Sequence, residues 1–287
     1  MKCKIYYFSG TGNSLRAAKL IAENIGNTAI ISMENDPEMY HAKDVEMIGF
    51  VMPVYHWSLP EIVKKFIKNL EINKNAYIFA VSTPSFVNGY AFEHLEQILN
   101  KKEAKLSYVV KLYSVANLVI VYSPKPNPKK RVKKAEKNIT KIANEISQKK
   151  IKKYSKAEFF VKLLYDRVMP KYKKLMPVVD VGYGINEKCT FCKICSDICP
   201  ARNIDFENNK PNFLHNCAMC MACICFCPKK AIGFDITKFK EINLSEKDRK
   251  IFDDPLIRKM KLPEKRLKYT NPYISVNDMK IKYKEIR

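Results

Sequence analysis

The chain has 287 residues, 47% of them hydrophobic, enough for one large core or two moderate ones. Its formal charge of +23 calls for an acidic partner surface. No apolar run has the length of a bilayer crossing, and the opening MKCKIYYF leads into a strand and a glycine loop and does not read as a signal peptide, so the cytoplasm is the expected compartment.

In chain order, CKIYYF (3–8) reads as a buried strand and NSLRAAKLIAENI after it as an amphipathic helix. TAIISM, VEMIGFV, AYIFAVS and LSYVVKLY are four further strands, separated mostly by helical patterns at 59–70 and 91–102, with a last helix at 129–149. Such alternation predicts an α/β domain, a doubly wound five-stranded parallel sheet over residues 1–150, with its ligand beyond the carboxyl ends of the strands. Residues 151–180 read as a basic, aromatic helical linker, 181–236 as a small cysteine-rich domain, and 237–287 as a basic tail, extended or partly helical. The charge is unevenly spread: +13 falls on residues 126–176 (17 basic against 4 acidic), +6 on 235–287 (15 against 9), and only +3 and +1 on 1–125 and 177–234.

Nine of the ten cysteines lie in CTFCKICSDICP (189–200) and CAMCMACICFCP (217–228), two copies of C-x2-C-x2-C-x3-C-P at a constant offset of 28 residues. In a reducing compartment such thiols are metal ligands or redox groups, not disulfides. An internal duplication predicts a pseudo-twofold unit. The spacing is that of carriers with two [4Fe–4S] clusters: three thiolates curl around one cluster while the fourth, beside a proline, reaches the other. One cluster would take Cys189, Cys192, Cys195 and Cys227, and the second Cys217, Cys220, Cys223 and Cys199. Zinc knuckles, with two ligands each and a longer gap between them, fit the spacing poorly. Cys225 is out of phase and reads as a packed thiol, and Cys3, on the first strand, as a core residue.

FSGTGNS (8–14) sits between a strand and a helix. Gly10 and Gly12 permit close approach of an anion; Ser9, Thr11, Asn13 and Ser14 add side-chain donors, and the helix N-terminus adds free N–H groups. The loop is not G-x-G-x-x-G and lacks the lysine of a nucleoside-triphosphate loop. Neutral donors in this number suit one phosphate monoester.

With PVYHWSLP (53–60) after the third strand, FSGTGNS resembles the phosphate loop of a flavodoxin. Combined with the two cysteine runs, the chain to about residue 235 resembles the EFR-type flavodoxin–ferredoxin fusion family. That resemblance implies a flavodoxin-like sheet followed by a small α+β two-cluster ferredoxin domain, and a bound FMN whose phosphate lies on Ser9, Gly10, Thr11, Gly12, Asn13 and Ser14. It also implies two loops around the flavin ring: Pro53, Tyr55, His56 and the only tryptophan, Trp57, in the first, and Thr83, Phe86, Asn88 and Gly89 of STPSFVNGY (82–90) in the second. The second loop departs from the family's usual glycine-rich form at Pro84 and Ser85, and the basic charge departs from the acidic character of flavodoxins and ferredoxins.

A flavin joined to two one-electron centres makes an internal wire with a two-electron terminal, so electron transfer between the clusters and FMN is the expected function. The alternative is an FMN-dependent oxidoreductase reducing a specific small substrate with electrons from the clusters. His56 is the only histidine placed near the ring; such a histidine more often packs or hydrogen-bonds than catalyses, and no catalytic residue is assigned. An acidic redox protein, a ferredoxin for example, is the expected partner of the basic 126–176 region. Nucleic acid is not expected, because no recognisable module accompanies the charge.

Overall fold

The structure is a computed structural model; it describes the chain except for residues 1, 39, 156–158, 208, 242–254 and 281–287, and only the backbone of some residues within 159–174 and beside those gaps. Five parallel strands, β1 (Cys3–Tyr7), β2 (Thr28–Ser32), β3 (Met47–Pro53), β4 (Tyr77–Thr83) and β5 (Leu106–Lys111), form a sheet in the order β2-β1-β3-β4-β5. The central strands read as unbroken apolar runs because both of their faces are covered. On β3 and β4, Ile48, Phe50, Met52, Ile78 and Ala80 enter one core, while Met47, Val51, Tyr77, Phe79 and Val81 enter the other.

Helices α2 (Glu61–Asn69) and α3 (Ala91–Asn100) cover the first face, using Val63, Phe66, Ile67, Phe92, Leu95 and Leu99. Helices α1 (Asn13–Ile25) and α4 (Pro128–Ser147) cover the second, using Ala17, Ala18, Ile21, Ile139, Ile142 and Ile146. The Asn127 side chain accepts a 3.2 Å bond from the Lys130 N–H and Pro128 opens the first turn, which sets the start of α4. Its other face exposes Lys129, Lys130, Lys133, Lys134, Lys137 and Lys141.

Helix α5 (Phe159–Leu175) and a 3₁₀ turn (Met176–Gly182) lead into the second unit. There β6 (Tyr183–Ile185) pairs antiparallel with β9 (Ile232–Phe234), and β7 (Ile204–Glu207) with β8 (Lys210–Phe213), around the one-turn helices α6 (Ile194–Asp197) and α7 (Ala222–Phe226). The duplication is built into the backbone. Left-handed conformations at Phe191, Lys193 and Arg202 recur at Met219, Met221 and Lys230, at the same offset of 28 residues. Two further one-turn helices, α8 (Pro255–Arg258) and α9 (Val276–Met279), lie in the C-terminal segment. That segment packs on both units: Ile257 and Met260 join Val179, Met219 and Met221, while Ile274 and Met279 join Leu15, Ile198, Ala222 and Phe226. Among the described residues no helix is long and apolar enough to cross a membrane.

Candidate functional site

The carboxyl ends of β1, β3 and β4 deliver three loops to one end of the sheet, at the turn where strand order reverses beside β1. In the first loop the Ser9 hydroxyl accepts the Gly12 N–H at 3.1 Å, and Gly12 adopts φ +93°, which turns the chain into α1. Ser9, Thr11 and Ser14 are buried, and the Ser14 and Thr83 hydroxyls lie 2.8 Å apart, joining this loop to the end of β4.

The second loop is a tight turn. Tyr55 and Ser58 exchange backbone hydrogen bonds of 3.0 and 2.9 Å, and His56 and Trp57 both take left-handed conformations, φ +48° and +57°. Two non-glycine residues held this way store backbone strain, which the surrounding contacts must offset. The third loop clasps the second. The Tyr90 N–H donates to the Trp57 carbonyl at 2.7 Å, and a Cβ on Gly89 would stand 2.2 Å from that oxygen, so only glycine permits the approach.

Between these loops lies a cavity of about 300 Å³, within the range of small-ligand sites. Ser9, Gly10, Thr11, Asn13, Ser14, Pro53, Tyr55, His56, Trp57, Thr83 and Phe86 all line it. Gly12, Asn88 and Gly89 stand behind it: Gly12 shapes the loop, Asn88 accepts the Ser82 hydroxyl at 2.6 Å, and Gly89 meets Trp57. Burial lowers His56 to about 4, so its imidazole is uncharged at neutral pH, and raises the Tyr55 phenol well above its ordinary value.

Two stretches of the wall carry no sequence signal that assigns them to this cavity. One is the loop after β5, with Ser114, Asn117, Leu118 and Tyr122. The other is Met219, Cys220 and Met221 of the second cysteine run. The Cys220 carbonyl oxygen stands 2.4 Å from where a Cβ would project from Gly10, so the thiol-bearing unit rests directly on the glycine loop. Trp57 packs on the same unit's core.

The eight in-phase cysteines gather in two groups. Cys189, Cys192, Cys195 and Cys227 line one cavity with Ile185, Phe206, Pro211 and Ile232. Cys199, Cys217, Cys220 and Cys223 line another with Tyr183, Ile204, Phe213 and Met221. Each group takes its fourth thiol from the other run. Backbone N–H groups point at the sulfurs: Asn203 at Cys199 (3.2 Å), Ala231 at Cys227 (3.3 Å) and Met219 at Cys217 (3.3 Å). Cys225 belongs to neither group; its sulfur lies 3.6 Å from the Asn117 amide nitrogen, and burial pushes the thiol up to about 11. Cys3 is buried in the sheet's second core.

A larger cleft, about 820 Å³, opens on the other side of the Tyr55–His56 turn and reaches Cys217 and Ala218. Its lining includes Met33, Leu59, Phe66, Met169 and Met176, with Lys65, Lys173 and Glu34. Burial raises the Glu34 carboxyl to about 8, against a hydrogen bond from Ser32.

Residues 4–109 match the sequence profile of a family described as a flavodoxin domain. A Fusobacterium nucleatum flavodoxin bound to flavin mononucleotide is 15% identical, with a TM-score of 0.38 over 53% of this chain and 99% of its own. An FMN-dependent NADH-azoreductase from Bacillus anthracis is 10% identical, with a TM-score of 0.37 over 51% of this chain and 100% of its own. The flavodoxin of Megasphaera elsdenii is 12% identical, with a TM-score of 0.35 over 50% and 98%. No curated protein matches the chain. The N-terminal part of the chain is a flavodoxin-like domain.

Proposed function

We propose that the chain is an electron-transfer protein holding FMN in the 300 Å³ cavity of its flavodoxin-like domain and a [4Fe–4S] cluster on each four-thiol group, in the manner of a flavodoxin–ferredoxin fusion. The observation that carries this reading is the shared wall: Cys220, a member of the second thiol group, also lines the cavity over the glycine loop. Carriers held at those two places would be neighbours, with Cys220 and Met221 common to both walls.

The residues fit both groups. The glycine loop offers hydroxyl, amide and backbone donors and no cation, which suits a single phosphate monoester. Each thiol group supplies four sulfurs, an apolar surround and N–H donors to sulfur, the means by which proteins stabilise an anionic cluster. Among the described residues no three His, Cys, Asp or Glu are disposed to hold a single metal ion; a four-iron cluster spreads its thiolates more widely than one ion does. When bound, the flavin supplies one- or two-electron exchange and the clusters one-electron exchange. Tyr55 and Trp57 line the cavity and would supply aromatic contact to the ring, the uncharged His56 would add no cation beside it, and the buried Met219 and Met221 would keep water from the wall next to Cys220.

The exposed lysines of α4 would dock an acidic redox protein that exchanges electrons with the clusters. A second reading, an oxidoreductase acting on a small substrate, is favoured by the 820 Å³ cleft, which shares the Tyr55–His56 turn with the flavin cavity and offers room for such a molecule. The deciding experiment is purification of the full chain without oxygen, with flavin, iron and acid-labile sulfide counted per chain. One FMN with about eight irons and eight sulfides supports the proposal. Iron without flavin would remove FMN from it, and zinc in place of iron would remove the clusters.

A further inference from the structure

We infer that Tyr269 and Asn271, in the C-terminal segment, are part of the anion-binding end of the flavin cavity, where they orient the Asn13 side chain so that it presents N–H donors to a phosphate. This rests on the reading of that cavity as an FMN site.

The segment is seated on the glycine loop. The Asn271 N–H donates to the Thr11 carbonyl at 2.8 Å. A Cβ on Gly12 would stand 2.9 Å from the Ile274 Cβ and 3.0 Å from the Asn271 Cβ, so the contact is as close as a glycine allows. Tyr269, Asn271 and Ile274 are buried. The seat is fastened by the Lys19–Asp278 ion pair, by Arg16 stacked 4.4 Å over the Tyr273 ring, and by the Lys280–Asp197 pair at 3.1 Å, which ties the segment to the thiol-bearing unit.

Polarity then passes along a chain of amides. A backbone N–H can only donate, and that of Tyr273 points at one Asn271 side-chain atom at 3.1 Å, which must therefore be its oxygen Oδ1. The Asn271 Nδ2 consequently faces Asn13 and donates to Asn13 Oδ1 at 3.1 Å, and the Tyr269 hydroxyl donates to the same oxygen at 2.7 Å. With its oxygen held by two donors from the tail, Asn13 has only its NH₂ group left to offer the cavity that it lines. A phosphate monoester accepts hydrogen bonds, so an amide oxygen turned toward it would repel it. Because residues 8–14 contain no cation, each neutral donor carries a large share of the discrimination for phosphate.

The test compares two ligands that share a ring and differ in the phosphate. Apo full-length protein is titrated with FMN and with riboflavin, following the quenching of flavin fluorescence. In Tyr269→Phe, which loses one hydroxyl, and in Asn271→Ala, FMN affinity should fall about fivefold, the scale of one neutral hydrogen bond, while riboflavin affinity holds. In an Asn13→Ala background neither substitution should alter the preference for FMN over riboflavin, because the residue that they orient is gone. The inference is overturned if the preference is unchanged in both tail variants, if both ligands weaken in parallel, or if the loss persists without Asn13. A parent protein that binds neither flavin would overturn the FMN reading itself.

Discussion

A Cβ on Gly10 would stand 2.4 Å from the Cys220 carbonyl oxygen and 2.5 Å from the Tyr55 hydroxyl. Both neighbours are built in, one a backbone atom of a cysteine run and the other the end of a half-buried, rigid tyrosine ring packed on the sheet's first core, so neither can give way cheaply. Gly10→Ala should therefore push the thiol-bearing unit off the flavodoxin-like domain. The expected cost is about 1–3 kcal/mol of stability, typical of overpacking, read as a lower Tm by calorimetry. FMN binding should weaken in the same variant, since the loop and its covering wall move together. An unchanged Tm would mean that this contact is not part of the folded protein's interface.

The crossed thiol pattern makes an equally specific prediction. Cys199 lies in the first run but lines the cavity of Cys217, Cys220 and Cys223. Cys199→Ser should thus perturb the cluster proposed for the second run, and Cys227→Ser the one proposed for the first. Each variant should retain about four of the eight irons, with its complement intact by electron paramagnetic resonance. Double variants distinguish crossing from its absence. Cys199→Ser with Cys217→Ser should leave one cluster whole, whereas Cys199→Ser with Cys189→Ser should damage both.

The sheet was legible because its signals are local. AYIFAVS is long enough to be buried on both faces, and FSGTGNS names its own turn through Gly12. The two cysteine runs were legible in part for the same reason: a spacing of three residues brings three sulfurs of each run to one cavity, while the fourth comes from the other run. The remainder depends on contacts distant in sequence. Nothing around Asn117 marks it as a wall of the 300 Å³ cavity, yet its amide donates to the Tyr269 carbonyl at 2.7 Å, across 152 residues. Asn88 and Gly89 fall within the expected ring loop but serve its scaffold, bonding Ser82 and clasping Trp57. The tail reads as a basic segment, extended or partly helical, and its described residues 255–280 are held by the partners that they find on both units, not by any periodicity of their own.

Helix α4 places Val132, Ile139, Ile142 and Ile146 inward and six lysines outward. A cationic face of this kind accelerates encounter with an acidic carrier and is screened by salt, with a Debye length of about 8 Å at physiological ionic strength. Reduction by an acidic ferredoxin in stopped flow should slow as salt rises. Lys133→Glu with Lys137→Glu should lower the second-order rate at least about tenfold at low salt and converge on the parent rate at high salt. A rate independent of salt would move the docking surface elsewhere.

Glu34 links the 820 Å³ cleft to pH. Burial raises its carboxyl to about 8 in the folded protein, from an ordinary value of 4.5. Between those two values the folded chain holds a proton that the unfolded chain has released, so Glu34 makes stability fall as pH rises and has no further effect above about 8. His56 and His94, both lowered to about 4 by burial from 6.5, act with the opposite sign: below 6.5 the unfolded chain binds protons that the folded one refuses, so stability rises with pH up to that point. From pH 6.5 to 8 the histidines are silent and Glu34 still titrates. Glu34→Gln should cancel its contribution, so that the parent loses stability relative to the variant across this window in urea-unfolding series. A difference between the two proteins that stays flat from pH 6.5 to 8 would place the Glu34 carboxyl in its ordinary range and make it a charged group facing the cleft.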